Sequence, residues 1–359
     1  MIPLESYRHE MTGMVIHNRV GDVSQAGAPV VRDLMAMNAL RPFTSLEVEK
    51  TGGETAFVPV AWQSTQQISD EQVWSMPWTA DPGVFLYWID LLEQAGIDEE
   101  TFFQSPGNLA EASRRVQASG IPRPWGITAG QKHSAIHSVA SWVWASGGDF
   151  LSEDGKRVMF MGPEALAGLR AYFSMIQFMA PESQLADYRV NNQLFINRQS
   201  AIISGNGEIA AYIVNNLPDE MCSRLGVALP FGIPLVGGSS LVVWANSRHE
   251  QAAVNLVQFL TGRTAQAAYP ISLDNLPVRL DVLNESPYTS DPILKGLSQA
   301  LYKGRVFPIA NLSGLLEEHL GKALVSIWAD LFINSTVNLD DLIMSNLASV
   351  ARQYDNWME

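Results

Sequence analysis

The chain has 359 residues, more than one ordinary domain holds and comfortable for two. Hydrophobic residues make up 47% and charged residues 17%, a balance that excludes a disordered chain and provides for a sizeable core. A formal net charge of -14 repels phosphate backbones and speaks against nucleic acid as a partner.

Met1 to Glu10 carries neither a basic n-region nor an apolar h-region and does not read as a signal peptide. No run of about 18 apolar residues occurs, so no segment reads as a membrane span. The first periodic segment is Pro29 to Leu40. Val30, Val31, Leu34, Met37 and Leu40 fall there at helical spacing, and Arg41-Pro42 ends the helix. His133 and His137 share one face if their segment is helical. Glu153-Asp154-Gly155-Lys156 is a turn, and Arg157 to Phe160 is expected to follow as a strand. Gly162-Pro163-Glu164 opens a helix with proline at its first position, and Leu166, Leu169, Phe173, Ile176 and Phe178 give it a broad apolar face. Short apolar runs at 201–203, 226–229 and 241–244 read as buried strands. Helices are predicted over 250–260, 315–332 and 339–358. Strands alternating with helices predict a largely parallel sheet. No Pro/Gly/Ser linker divides the chain, so two domains imply that the chain crosses between them more than once.

Catalytic signatures are absent from the pattern. There is neither a GxxxxGK[ST] phosphate loop nor a GxSxG elbow. Gly205-Asn206-Gly207 follows a strand-like run but lacks the third glycine of a dinucleotide fingerprint. The single cysteine, Cys222, rules out an internal disulfide and a Cys-based metal site. HxxxH without an inner glutamate is a weak zinc signal, and polar lining or a plain helix surface accounts for it as well. Asp98-Glu99-Glu100 and Glu317-Glu318 read as solvated helix turns. The ten tryptophans, with Trp74 near Trp78 and Trp142 near Trp144, are the one compositional hint of function. An indole offers a flat apolar face and one donor, which suits the C–H face of a pyranose. It equally suits a protein core.

Several stretches, in order, resemble the extracellular solute-binding proteins (family 1) that serve carbohydrate ABC importers. Gly21-Asp22-Val23-Ser24-Gln25-Ala26-Gly27 is similar to the family's "pDV" strand and loop, and Met37-Asn38-Ala39-Leu40-Arg41-Pro42 to the end of its next helix. Trp74 to Asp81 and Val84 to Ile97 resemble the strand and loop that lead into "vlyYnkdlf.kaGi". Trp142 to Phe150 is similar to "aaGGdf", and Phe195 to Ala201 to "F..GkaAm". Gly237 to Leu260 and Leu276-Pro277-Val278-Arg279 resemble the "lgGs" and "lPar" segments.

The resemblance implies an α/β fold of two lobes, the type II periplasmic-binding-protein arrangement, joined by a hinge of several crossing segments. The expected lobes are 1–103 with 238–287, and 104–237 with 288–359. Ligand would lie between the lobes, and closure would trap it. By position, the ligand-binding residues implied are Gln25, Gly27, Trp78, Asp81, Gly238, Ser239 and Arg279 in the first lobe. In the second they are His137, Trp142, Gly205, Asn206 and Glu208. Asp81 would accept from sugar hydroxyls, although Asp81-Pro82 also suits a helix N-cap. Trp78 would offer a stacking face, and Arg279 would bond a hydroxyl fork or tie the hinge. The sequence departs from the family in two places. Where members commonly carry Gly-x-Trp, it reads Gly205-Asn206-Gly207-Glu208, so the stacking indole is replaced by polar groups. The resemblance starts past the family's signal sequence and first strand–helix–strand, so these are expected to be missing, which would remove strands from the first lobe's sheet.

The function this implies is the substrate-binding component of an ABC importer, a monomer without cofactor or metal and without enzymatic activity. It would hold a sugar or sugar-like solute outside the cytoplasmic membrane and deliver it to a membrane permease. Two other readings predict different behaviour. A glycan hydrolase would need a second carboxylate facing Asp81, about 5 to 10 Å away. A partner-binding or sensory relative would show no stabilisation by small molecules.

Overall fold

The computed structural model describes residues 4–66, 72–185, 188–270, 275–307 and 313–358, without the side chains of 4–6, 99–100, 133–134, 184–185 and 358. Two sheets organise it. The first contains β1 (Val23–Ala26), β2 (Leu40–Arg41), β3 (Met76–Pro82), β8 (Val236–Trp244) and β9 (Leu276–Pro277), and the second β4 (Val84–Trp88), β5 (Trp125–Gly126), β6 (Ile202–Gly205) and β7 (Leu225–Ala228). The strand order is β1-β8-β3-β9 in the first sheet, with β2 also on β8, and β5-β6-β4-β7 in the second. The chain divides into two compact units, one of Met1–Asp81, Val236–Tyr302 and Ile309–Gly314, the other of Pro82–Leu235, Lys303–Pro308 and Leu315–Glu359.

Two expectations change here. The units switch at 81/82, 235/236, 302/303, 308/309 and 314/315, whereas the expected lobes switch at 103/104, 237/238 and 287/288. The cause of the first difference is visible in the pairing. β3 belongs to the first sheet, while β4, which begins one residue past Gly83, pairs with β6 and β7 in the second. The sheets are also not largely parallel. β1 and β2 on β8, β9 on β3, and β6 and β7 on β4 are antiparallel pairs, and β5 with β6 is parallel. Neighbouring strands come from separate passages of the chain, so the alternation of helix and strand along the sequence does not translate into βαβ crossovers.

Local chemistry explains the elements. The helix Ala28–Ala36 starts at Gly27, which is extended (φ -72°, ψ 156°), and has proline in its first turn. It buries Val30, Val31 and Leu34 against Met11, Ala26, Leu40, Val242 and Trp244. It ends four residues earlier than its periodicity suggests. Asn38 turns the chain at positive φ, and Leu40 pairs opposite Trp244 in β2. Thr44 and Glu47 form a reciprocal capping box on Ser45–Glu49. The predicted helices over 250–260, 315–332 and 339–358 appear as Glu250–Leu260, Ser313–Ile333 and Leu339–Met358. The strand expected at 157–160 is reduced to a single bridge between Leu151 and Val158.

The second unit is held by aromatic rings. Trp142 meets Phe231 at 4.9 Å, Tyr172 at 5.7 Å and Trp125 at 6.2 Å between centroids, each edge to face. Its helix, Lys132–Ala145, lies so close to Pro163–Ser174 that a Cβ on Gly168 would fall 2.5 Å from the Trp142 carbonyl oxygen. Every residue of β4 is buried, as expected for a central strand covered on both faces. At the C-terminus, the Tyr354 hydroxyl donates to the Gly155 carbonyl at 2.8 Å and ties the last helix to the 153–156 turn.

Candidate functional site

In the first unit, β1 and β8 run antiparallel with Gln25 opposite Leu241. Ser239 is therefore the diagonal neighbour of Gln25 on the same face, within reach of a long side chain. Gln25 Nε2 donates to Ser239 Oγ at 2.6 Å. On the other side of β8, the Ser239 hydroxyl lies 2.8 Å from Thr79 Oγ1 on β3. The row runs from exposed Gln25 through half-buried Ser239 to buried Thr79. The Tyr7 hydroxyl donates to the Gln25 carbonyl and ties β1 to the N-terminal helix Leu4–Ile16.

Two glycines flank this row. Gly238, at φ +139°, has no room for a side chain, because a Cβ would lie 2.2 Å from the Thr79 carbonyl oxygen. Gly27 faces the Gly238 carbonyl, with 3.8 Å between that oxygen and a Cβ built at Gly27. The structure thus brings Gln25, Gly27, Gly238 and Ser239 together. Side chains alternate along a strand, so Asp81, half-buried, lies on the same face of β3 as Thr79.

The same alternation separates Trp78 from Asp81. Trp78 points to the opposite face, is buried, and stacks on Tyr269 at 5.3 Å. Its carbonyl accepts from Gln266 Nε2 at 2.7 Å. Arg279 is engaged elsewhere within the unit. It forms a fork with Asp281 (Nε to Oδ1 2.9 Å, Nη2 to Oδ2 2.8 Å), donates to the Thr51 carbonyl at 2.7 Å, and lies 5.6 Å over the Phe57 ring. Those bonds occupy its guanidinium with structural partners.

In the second unit, β6 leads through Gly205 into the helix Gly207–Asn216. Gly205 pairs with Val84, and a Cβ there would press on Ile209 and Leu86 at 3.0 and 3.1 Å. Asn206 caps the helix, its Oδ1 accepting from the Ile209 N–H at 3.4 Å. Glu208 is exposed in the first turn, where a carboxylate complements the helix dipole. His137 is half-buried on Lys132–Ala145, and the His133 side chain lies outside the described ones. Trp142, on the same helix, is 1% exposed and belongs to the aromatic core.

Tryptophan content therefore reports mainly on packing. Trp62, Trp78, Trp88, Trp125, Trp142, Trp144, Trp244 and Trp328 are all buried. Sequence reasoning missed Thr79, although the two-residue period linking it to Asp81 could have found it. It also missed Arg305, whose guanidinium lies 4.5 Å over Trp144 and 2.7 Å from Asp149 in the second unit.

The chemistry of the first unit's cluster is that of amides and hydroxyls. Among the described residues the Ser239 hydroxyl meets Gln25 and Thr79, and neither is a base that could make it a nucleophile. Among the described residues no group of three or more His, Cys, Asp or Glu could hold a metal ion. Nor is any described helix long and apolar enough to cross a membrane. The row thus presents neutral hydrogen-bonding groups.

The chain is 26% identical over 240 residues to a probable ABC transporter-binding protein of Deinococcus radiodurans, a match covering 60% of this chain and 54% of that protein. It is 24% identical over 188 residues to the maltotriose-binding protein of Pyrococcus abyssi, covering 47% and 38%. The matches thus span about half or less of these relatives' own length. The fold is shared with the sugar-binding protein MalE of Xanthomonas citri (TM-score 0.82, 16% identity, 99% of this chain and 88% of that one). It is shared also with maltose-bound T. maritima MalE3 (0.80, 19%, 98% and 88%). UgpB of Mycobacterium tuberculosis, solved with glycerophosphocholine, has it too (0.80, 15%, 99% and 89%). Residues 9–296 match the model of one family, and the chain belongs to it: the bacterial extracellular solute-binding proteins.

Proposed function

We propose that this chain is the substrate-binding component of an ABC importer, holding a sugar or sugar-like solute outside the cytoplasmic membrane for delivery to a membrane permease. Family membership supports the transport role, as do the names of the Deinococcus and Pyrococcus relatives. The observation that carries the sugar reading is the uncharged row Gln25–Ser239–Thr79 beside the bare backbone of Gly27 and Gly238. A polyol needs partners that both donate and accept, and each neutral bond of this kind contributes roughly 0.5–1.5 kcal/mol. Asp81 adds a charge-assisted acceptor on the same face. Gly205, Asn206, Glu208 and His137 are the second unit's proposed contribution.

The test is thermal unfolding against maltose, maltotriose, monosaccharides, polyols, amino acids, polyamines and glycerophosphocholine. A ligand at 100 times its Kd adds about 2.7 kcal/mol, several degrees for a protein of this size. A shift confined to one sugar class and removed by Gln25→Ala supports the reading. Stabilisation by amino acids, polyamines or glycerophosphocholine instead of sugars sinks the sugar assignment, and no stabilisation by any compound sinks the receptor role.

A further inference from the structure

We propose that Thr79, a residue with almost no surface of its own, sets the hydrogen-bond polarity of the first unit's site. Ser239 then offers a proton and Gln25 a carbonyl oxygen, side by side, to the adjacent hydroxyls of a neutral polyol. The inference rests on the binding role above and specifies its chemistry.

The Gln25 amide nitrogen can only donate, so the Ser239 oxygen accepts it at 2.6 Å. The hydroxyls of Ser239 and Thr79, 2.8 Å apart, leave two arrangements. Were Ser239 to donate, the Thr79 proton would need an acceptor of its own. Thr79 is only 5% exposed, and among the described residues its hydroxyl bonds to Ser239 alone. A buried donor without an acceptor is costly. With Thr79 donating, both Ser239 lone pairs are used, no buried proton is stranded, and the Ser239 proton is available at a half-buried position.

The exposed neighbour then follows. Gln25 has its nitrogen committed to Ser239, and its Oε1, fixed beside that nitrogen by the planar amide, is the adjoining acceptor. One donor next to one acceptor matches two adjacent ligand hydroxyls. Gly238, exposed and without a side chain, leaves the flank of Ser239 open. A ligand carboxylate would meet the Gln25 amide oxygen, which cannot donate to it, so neutral solutes are preferred over anionic ones.

The full chain tests this first without ligand. The Gln25 side-chain amide is assigned in nitrogen–proton correlation spectra by its loss in Gln25→Ala, and its exchange with water is measured. Thr79→Val keeps the shape and removes the donor, letting Ser239 turn its proton away from an outward acceptor. Gln25 amide exchange should rise about tenfold, and Thr79→Ser should restore it. Unchanged exchange in Thr79→Val, or no recovery in Thr79→Ser, overturns the proposal. If Thr79→Val does not give a native spectrum, Thr79→Cys, whose thiol is a weak donor, takes its place under the same criteria.

Calorimetric titration with maltose is the second arm. Kd should rise about tenfold in Thr79→Val and stay within about threefold in Thr79→Ser. Equal weakening by both variants overturns the assigned polarity. If maltose gives no heat with the unaltered chain, the sugar reading is what fails, and amide exchange alone decides the role of Thr79.

Discussion

Gly238 lies against Thr79 so closely that a Cβ would stand 2.2 Å from the Thr79 carbonyl oxygen and 2.9 Å from the Ala80 Cα. This approach of β8 to β3 holds the Ser239 hydroxyl at hydrogen-bond distance from Thr79. The opposing groups are backbone, which cannot swing aside, and φ at Gly238 is +139°. Gly238→Ala is therefore expected to lose about 3 kcal/mol or more, from strain and overpacking together. Denaturant unfolding measures it, and an unchanged midpoint would show that the strands are not packed this way.

Two further glycines should respond with opposite signs. Gly13 lies inside the helix Leu4–Ile16 with nothing within 4 Å of a built Cβ. Gly13→Ala should stabilise by about 0.5–1 kcal/mol, since alanine loses less backbone entropy in a helix. At Gly168 a Cβ would meet the Trp142 carbonyl at 2.5 Å and the Val143 Cα at 2.8 Å. Gly168→Ala should destabilise by about 1–3 kcal/mol. Thermal unfolding of both variants checks the pair, and a shift in the same direction contradicts it.

Gln25 and Trp142 separate recognition from packing. Gln25 is exposed, so Gln25→Ala should leave the melting temperature of the free protein nearly unchanged while weakening ligand binding. Trp142 is 1% exposed among aromatic rings, so Trp142→Ala should cost about 3–5 kcal/mol of stability. A Trp142→Ala protein of normal stability that has lost only ligand binding would place this indole in the ligand site instead.

Acid sensitivity follows from two paired carboxyls. Hydrogen bonds from Arg41 hold Glu47 below its ordinary value, and those from Arg279 do the same for Asp281. Each binds fewer protons folded than unfolded near its titration. Its stabilisation is complete above the unfolded values near pH 4 and is lost as pH falls through the lowered folded values. Glu47→Gln should cost about 1–3 kcal/mol at pH 7, and this difference should shrink as pH falls through 4 toward 3. Denaturation midpoints at several pH values check it. A deficit that stays constant down to pH 3 would mean that Glu47 contributes no such linkage.

Much of the fold was legible because its elements carry local signals. The helices Pro163–Ser174, Glu250–Leu260 and Leu339–Met358 follow from apolar spacing, and the first also from the proline at its start. β6, β7 and the end of β8 follow from short buried runs. The ordered family stretches identified the two-unit architecture, and they pointed to Gln25, Gly27, Gly238 and Ser239, which the structure brings together.

Tertiary structure decided the rest, since it depends on partners distant in sequence. Antiparallel pairing arose from separate passages of the chain, so alternation of helix and strand could not reveal it. The face on which Trp78 lies depended on β3 being a strand through Pro82, which set Trp78 against Tyr269 and Thr79 toward Ser239. Arg279 met Thr51, 228 residues away along the chain, and Ser239 met Gln25 across 214. A side chain's type is written in the sequence. Whether its polar atoms are spent on the fold or left for a ligand depends on which strands lie beside it, and only the assembled sheet determines that.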